Sequence, residues 1–407
     1  MHRPEDAKII SAIAAVELAR GFGRYIVWIV MALYLYQVRG VPLIEIGAIY
    51  VVAGLVSSPF SLAGGKLIDR IGRRFFAVTL PVFQGISYAL LFLFMYSGSP
   101  LIEILPAFIV LYPLTSLQYV NDSSIVSDTS LEHERMESFS KTRIFGNIGI
   151  GLGLLAGGII SGINYSYVFI VTLATEAIQE YIYLTRVPET RPLGSGNISS
   201  ADPAGKIRQV HSDYLFVVFV VVAAVSSLAS GQFESPMTPI FFESVYAFPV
   251  FFITVLYAVN TLVVIFVQRP INSVLSGMDD GRRITLGLGV FSISYIIFGL
   301  ANDYLIIVAA VALLTVGENI LVPALSTTIS RMAPSDRRGT YFGFSSMVGS
   351  FIIPFTPLLG MFLLSVFFDA PIFIWGTISA LGLSIGMLFL SISGKIRKRE
   401  EAFAASL

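Results

Sequence analysis

Gly65-Lys66-Leu67-Ile68-Asp69-Arg70-Ile71-Gly72-Arg73-Arg74 places four cations, one acid and two glycines in ten residues, between two long apolar segments. A turn that short between apolar helices calls for glycine where backbones approach, and its cations belong on the cytoplasmic side of a membrane. The surroundings agree. Only 13% of the 407 residues are charged while 55% are hydrophobic, and the mean hydropathy is +0.80. Soluble domains carry about 25% charge, so half that share points to a polytopic membrane protein.

Crossing the hydrocarbon as a helix takes about 20 apolar residues. Stretches of that length fall near 10–37, 43–64, 75–96, 101–125, 144–162 and 166–185, and again near 214–240, 249–270, 284–301, 304–330, 341–367 and 371–393. Between the two sets lies 186–213, rich in Gly, Ser, Pro and charge, which reads as a cytoplasmic linker. The expected architecture is an all-α polytopic membrane protein. Twelve transmembrane helices form two six-helix bundles, 1–185 and 214–407, the second ending in a short basic tail. The N-terminal stretch Met1–Lys8 is short and mixed in charge, which suits an uncleaved first span better than a signal peptide. With both termini inside, the basic residues of the loops are cytoplasmic and only Arg39 falls outside.

The halves are also similar to each other. Glu134-Arg135-Met136-Glu137-Ser138-Phe139 aligns with Asp336-Arg337-Arg338-Gly339-Thr340-Tyr341, and the same offset carries Gly158 onto Gly360. The opening turn has a worn counterpart in 273–283, without its Asp-Arg pair. A duplicated unit predicts pseudo-symmetric bundles with the substrate site between them near the midplane.

The pattern Gly-x-Leu-x-Asp-Arg-x-Gly-Arg-Arg at 65–74 resembles the signature loop between helices 2 and 3 of the major facilitator superfamily of secondary transporters. Gly317-Glu318, Pro323 and Ala333-Pro334-Ser335-Asp336-Arg337-Arg338-Gly339-Thr340-Tyr341-Phe342-Gly343 resemble the helix 10 to 11 segment of its drug-efflux-like members. Gly146-Asn147-Ile148-Gly149, Gly153 and Gly157-Gly158 resemble the glycine-rich fifth helix of the drug:proton antiporter branch. Leu154 stands where that motif has its proline, and 101–121 holds no arginine at mid-helix. The resemblance covers essentially the whole chain. It implies alternating access, a monomer in the lipid bilayer, a small-molecule substrate, protons as the coupling partner and no cofactor. It also implies a cytoplasmic gate of Gly65, Asp69, Arg70, Gly72, Arg73, Arg74, Asp128, Arg135 and Arg337. In that gate Arg70 pairs with Asp128, and Asp69 accepts from the start of a helix in the other half.

Glu17, Arg20 and Arg24 share one face of the first helix. A charge at mid-bilayer costs about 2.5–3.5 kcal/mol or more, so these residues should face a cavity or one another. Glu176 and Glu180 pose the same problem on helix 6. Two arginines against three acids leave one carboxylate in excess, which suits reversible protonation; a static salt-bridge network is the alternative. Glu234, before Pro236 and Pro239, and Glu318 are two further acids deep in the second half. Gln118, Tyr119, Asn121, Gln232, Tyr257, Asn260 and Asn319 are candidates for substrate hydrogen bonds or for helix-to-helix contacts.

The composition excludes several classes. Zero net charge argues against a nucleic-acid partner. There is no cysteine, and His2, His133 and His211 all lie in segments read as cytoplasmic, so no metal site or catalytic triad is expected in the membrane. Neither Gly-x-x-x-x-Gly-Lys-Ser/Thr nor His-Glu-x-x-His occurs, which argues against an ATP-driven pump and a zinc protease, and the one Gly-x-Ser-x-Gly, Gly382-Leu383-Ser384-Ile385-Gly386, falls inside an apolar span rather than at the end of a strand. The expectation is a proton-coupled exporter of a small organic molecule at the cytoplasmic membrane. An uncoupled facilitator, or an importer of an organic anion or sugar, is the alternative.

Overall fold

The computed structural model describes residues 4–131, 135–190, 210, 213–334 and 338–404, and no strand occurs among them. Helix α1 (Pro4–Leu33) continues into a π-helical stretch, Tyr34–Val38, and is followed by α2 (Leu43–Ile71) and α3 (Arg73–Tyr96). The fourth span breaks at Val110 into α4 (Leu101–Ile109) and α5 (Leu111–Asp128), before α6 (Arg135–Ser161) and α7 (Tyr167–Arg186). The second half runs through α8 (Tyr214–Ser230), α9 (Met237–Ser244), α10 (Val250–Val274), α11 (Asp280–Leu300) and α12 (Tyr304–Met332). It closes with α13 (Arg338–Ile352), α14 (Phe355–Val366) and α15 (Pro371–Ala404).

Among the described residues, ten helical spans are long and apolar enough to cross a membrane. The other two expected spans are built differently. One is α7, which carries Glu176, Gln179 and Glu180. The other is α8 with α9, interrupted over 231–236. The residues group into two compact units. The first comprises α1, most of α2, α3 to α7 and Phe248–Thr261; the second comprises Leu43–Ala48, α8, α9, the rest of α10 and α11 to α15. Most of the expected linker lies outside the described residues.

In the first unit, glycine decides how α1 meets α6. A Cβ on Gly149 would land on the Leu18 carbonyl, and one on Gly153 would land on the Phe22 carbonyl. The two helices therefore touch backbone to backbone, the close approach that small residues at four-residue spacing permit in membranes. The contact runs along the Leu18 and Phe22 side of α1 and the middle of α6.

The opening motif is less of a turn than expected. α2 runs on through Gly65, where an added Cβ would meet nothing, and the only non-helical residue is Gly72 at φ +120°. Arg70 lies in the last turn of α2, where a cation faces the negative end of the helix dipole. A Cβ on Gly72 would strike the Glu189 carboxylate. That carboxylate caps α3, accepting from the backbone N–H of Arg73 (3.1 Å) and of Arg74 (3.2 Å). Arg74 in return donates to the carbonyls of Val187 (3.3 Å) and Leu184 (3.4 Å) at the end of α7.

The second unit is held by aromatic packing around Trp375, which stacks on Tyr295 at 5.1 Å and meets Phe241 and Phe298 edge-on. Its two broken helices satisfy each other. Buried Gln232, in the break after α8, donates to the carbonyls of Leu228 (2.8 Å) and of Thr356 at the start of α14 (3.0 Å). Irregular backbone at membrane depth requires such partners.

Candidate substrate and coupling site

On α1, Arg20 is buried and bonds two carboxylates. Its Nη1 donates to Asp122 Oδ2 of α5 at 2.5 Å, and its Nη2 donates to Glu17 Oε1 one turn back. Tyr183 Oη of α7 donates to Asp122, lying 2.7 and 2.8 Å from its two oxygens. Gln118 Nε2 joins on through Gln179 Oε1 (3.0 Å) and Tyr183 Oη (3.4 Å). Gln84 of α3, with its amide nitrogen facing inward, donates to Gln118 Oε1 (2.9 Å) and Glu176 Oε2 (3.2 Å). One polar network thus ties α1, α3, α5 and α7 together, and a buried charge survives at this depth only with such company.

This network forms one wall of a cavity of about 460 Å³ between α1, α5 and α6. Glu17, Arg20 and Asp122 reach its lining, together with Arg24, Tyr25, Tyr119, Phe139, Arg143 and Asn147. Arg24 and Arg143 are exposed there. In the second unit Glu234 and Glu318 line a smaller cavity of about 120 Å³ with Ser230, Gly231 and Phe291. Tyr295 stands beside them, accepting from Phe233 N–H (3.2 Å) and donating to the Ser230 carbonyl (3.0 Å).

Several expectations are corrected. Asp128 is held by Arg73 Nε at 2.9 Å, not by Arg70, because α2 continues to Ile71 and carries Arg70 onto its exposed end. Asp69 is bonded to Arg73 Nη2 at 2.8 Å, one turn away. The three acids expected around Arg20 and Arg24 were Glu17, Glu176 and Glu180. Asp122 takes the place of the latter two in direct contact: Glu176 is buried among amides, and Glu180 is half-buried. Gln118 and Asn121 are buried away from the cavity lining, and neither amide atom of Asn121 is hydrogen-bonded. Gln232 staples helix breaks. Asn319 donates to the Val263 carbonyl of α10 at 3.4 Å, and Tyr257 packs edge-on against Trp28 at 5.9 Å. Asn260 is half-buried on α10. Of the uncharged candidates only Tyr119 reaches the larger cavity. Arg337 and the side chain of Arg135 lie outside the described residues.

Asp122, Tyr183 and Gln179 went unnoticed in the sequence. The signal for Asp122 was present: an acid four residues past Gln118 in an apolar span carries the same desolvation cost as Glu17.

A family model of the Major Facilitator Superfamily matches residues 13–290 and 278–405. The chain belongs to that superfamily. It is a multi-pass membrane transporter rather than an enzyme. Its superfamily relatives include an MFS-type transporter of Bacillus subtilis, YttB, at 23% identity over 79% of this chain and 80% of the relative. Multidrug resistance protein 2 of the same organism is 21% identical over 84% of each chain. A Na(+), Li(+), K(+)/H(+) antiporter of Planococcus maritimus is 22% identical over 76% of this chain and 79% of its own. The solved structure of the nucleoside transporter NupG superposes with a TM-score of 0.76 at 11% identity, covering 94% of this chain and 99% of NupG, which speaks for the fold alone.

Proposed function

We propose that this superfamily member moves a small organic molecule across the cytoplasmic membrane by alternating access, as a monomer with both termini cytoplasmic, and couples that movement to protons through Glu17, Arg20, Asp122 and Tyr183. The observation that carries the reading is Arg20, buried and shared by carboxylates from two helices at the edge of the larger cavity. One guanidinium between two carboxylates leaves a formal charge of −1 that a single proton neutralises. Buried titratable groups at a cavity are where coupling chemistry belongs. Export in exchange for protons is the expectation from the sequence, and the names of two relatives, a multidrug resistance protein and a cation/H(+) antiporter, support it. Uptake of an organic anion is the second reading, supported by Arg24 and Arg143 in the cavity. The cluster of Asp69, Arg73, Asp128 and Glu189, all in the first unit, braces α2, α3 and α5 on the cytoplasmic side, so that these helices move as one body when the bundles rock. Residues 186–213 serve as the linker between the bundles.

The test is proton movement in proteoliposomes loaded with a pH-sensitive dye, on addition of lipophilic cations, organic anions or sugars. Substrate-dependent proton flux that vanishes in Asp122→Asn and Glu17→Gln is the expected result, and its sign gives the direction. Substrate flux that continues in both variants without a proton gradient, and at the native rate, would leave an uncoupled facilitator.

A further inference from the structure

We propose that the cavity between α1, α5 and α6 binds its cargo by an anionic group, and that the cargo is a small amphiphilic organic anion: a carboxylate, sulfonate or phosphate on an apolar body. This deepens the function proposed above and rests on it only in treating this cavity as the cargo site.

The charged lining consists of three arginines against two carboxylates, a formal excess of one positive charge. Arg20 is committed to Glu17 and Asp122. Arg24 and Arg143 are exposed in the lining and form no ion pair among the described residues. They project from α1 and α6, which the Gly149 and Gly153 contacts lock together. Two guanidiniums carried into one lining by closely docked helices can both serve a carboxylate, sulfonate or phosphate, since each offers paired donors in a fixed plane. Arg24 also opens the apolar run from Tyr25 to Leu35, where an uncompensated cation is costly. An anionic cargo supplies the missing counter-charge. The rings of Tyr25, Tyr119 and Phe139 in the same lining offer surface to the apolar body, and Tyr119 is 65% exposed. A volume of about 460 Å³ suits a small organic ligand, for which pockets of about 300–1,000 Å³ are usual.

The phosphate of an anionic lipid headgroup has the same chemistry, so the experiment separates the two sources. Purified protein in phosphatidylcholine nanodiscs is titrated at constant pH with benzoate, benzenesulfonate and phenyl phosphate. The uncharged and cationic counterparts are benzamide and benzylammonium. Binding is read by fluorescence of Trp28, one helical turn beyond Arg24 and half-buried. Saturable binding of at least one anion is expected, with benzamide and benzylammonium inert. Arg24→Gln and Arg143→Gln are each expected to raise the half-saturating concentration about tenfold or more, the scale of a lost charge-assisted hydrogen bond. Arg24→Lys, which keeps the charge and loses the paired donors, should cause a smaller rise, and it decides the matter with Arg143→Gln if Arg24→Gln fails to fold. The inference is overturned if benzylammonium binds more tightly than every anion, if no anion binds, or if both Gln variants bind as the native protein does. It is also overturned if phosphatidylglycerol added to the nanodiscs displaces every bound anion, which would make the site a lipid contact. Because no gradient is present, failure here leaves the Asp122→Asn coupling result standing, and failure of coupling leaves anion binding standing.

Discussion

Arg73, at the start of α3, holds Asp128, at the end of α5, at 2.9 Å; in the other unit Asp280, at the start of α11, holds Arg331, at the end of α12, at 2.8 Å. The places match and the charges are exchanged. A helix favours an anion at its start and a cation at its end, so the second pair follows the dipoles and the first opposes them. The first unit compensates with borrowed groups: Glu189 caps α3, and Arg74 caps α7. Arg73 consequently ties α2, α3 and α5 together, while Arg331 makes one ion pair with its side chain 55% exposed. The same contrast runs through the cavities. The first unit sets three arginines and two carboxylates around a large one, and the second sets two carboxylates around a small one. Charge and its wiring are concentrated in the first unit; the second relies on aromatic packing and stapled helix breaks.

The sharpest way to break this contrast is Arg20→Met. Removing the shared cation strands Glu17 and Asp122, and the loss should be about 3–5 kcal/mol, read as a collapse of thermal stability in detergent. Glu318→Gln in the second unit should leave the melting temperature nearly unchanged. If the two variants melt alike, the charge in the first unit is not structural. Next in size is Gly149→Ala, which drives a methyl into the Leu18 carbonyl and should cost about 1–3 kcal/mol or prevent insertion. Gly289→Ala, where a Cβ meets nothing, should instead stabilise α11 by about 0.5–1 kcal/mol. Smaller again is Arg73→Lys. A single ammonium cannot reproduce the separate bonds to Asp69 and Asp128, so about 1.5 kcal/mol should be lost, within the range for a bond to a charged group. Its counterpart Arg331→Lys keeps a cation for the one bond to buried Asp280, so the loss should be smaller, about 0.5 kcal/mol. Equal losses at both positions would erase the difference between the latches. The smallest expected effect is Glu189→Gln, about 0.3–1 kcal/mol from the lost charge at the start of α3, measurable as a salt-dependent shift in melting temperature.

Much of this was legible in order along the chain. Among the described residues, ten of the twelve expected spans could be placed because hydrophobic length is a local property, and the 65–74 motif marked the junction of α2 and α3 although only Gly72 proves non-helical there. Glu17, Arg20 and Arg24 were found together because three to seven residues along a helix is one face. Asp122 was missed because its partner lies 102 residues away. The pairing of Arg70 with Asp128 failed for a related reason: the motif shows which cations are present, and only the continuation of α2 through Ile71 decides which one points at α5. The counterpart latch was unreadable because Asp280 and Arg331 carry each other's expected charges.

The sequence by itself pointed to the membrane and its helices through composition and hydrophobic length, to a duplication through spacing, and to the superfamily through the resemblance of the 65–74 motif to that family's signature loop. Only the tertiary structure decided that Arg20 is shared by Glu17 and Asp122, that α1 meets α6 through glycine, and that Arg24 and Arg143 face one cavity. Partner choice among buried charges depends on distances between helices far apart in the chain, and those distances are set by packing.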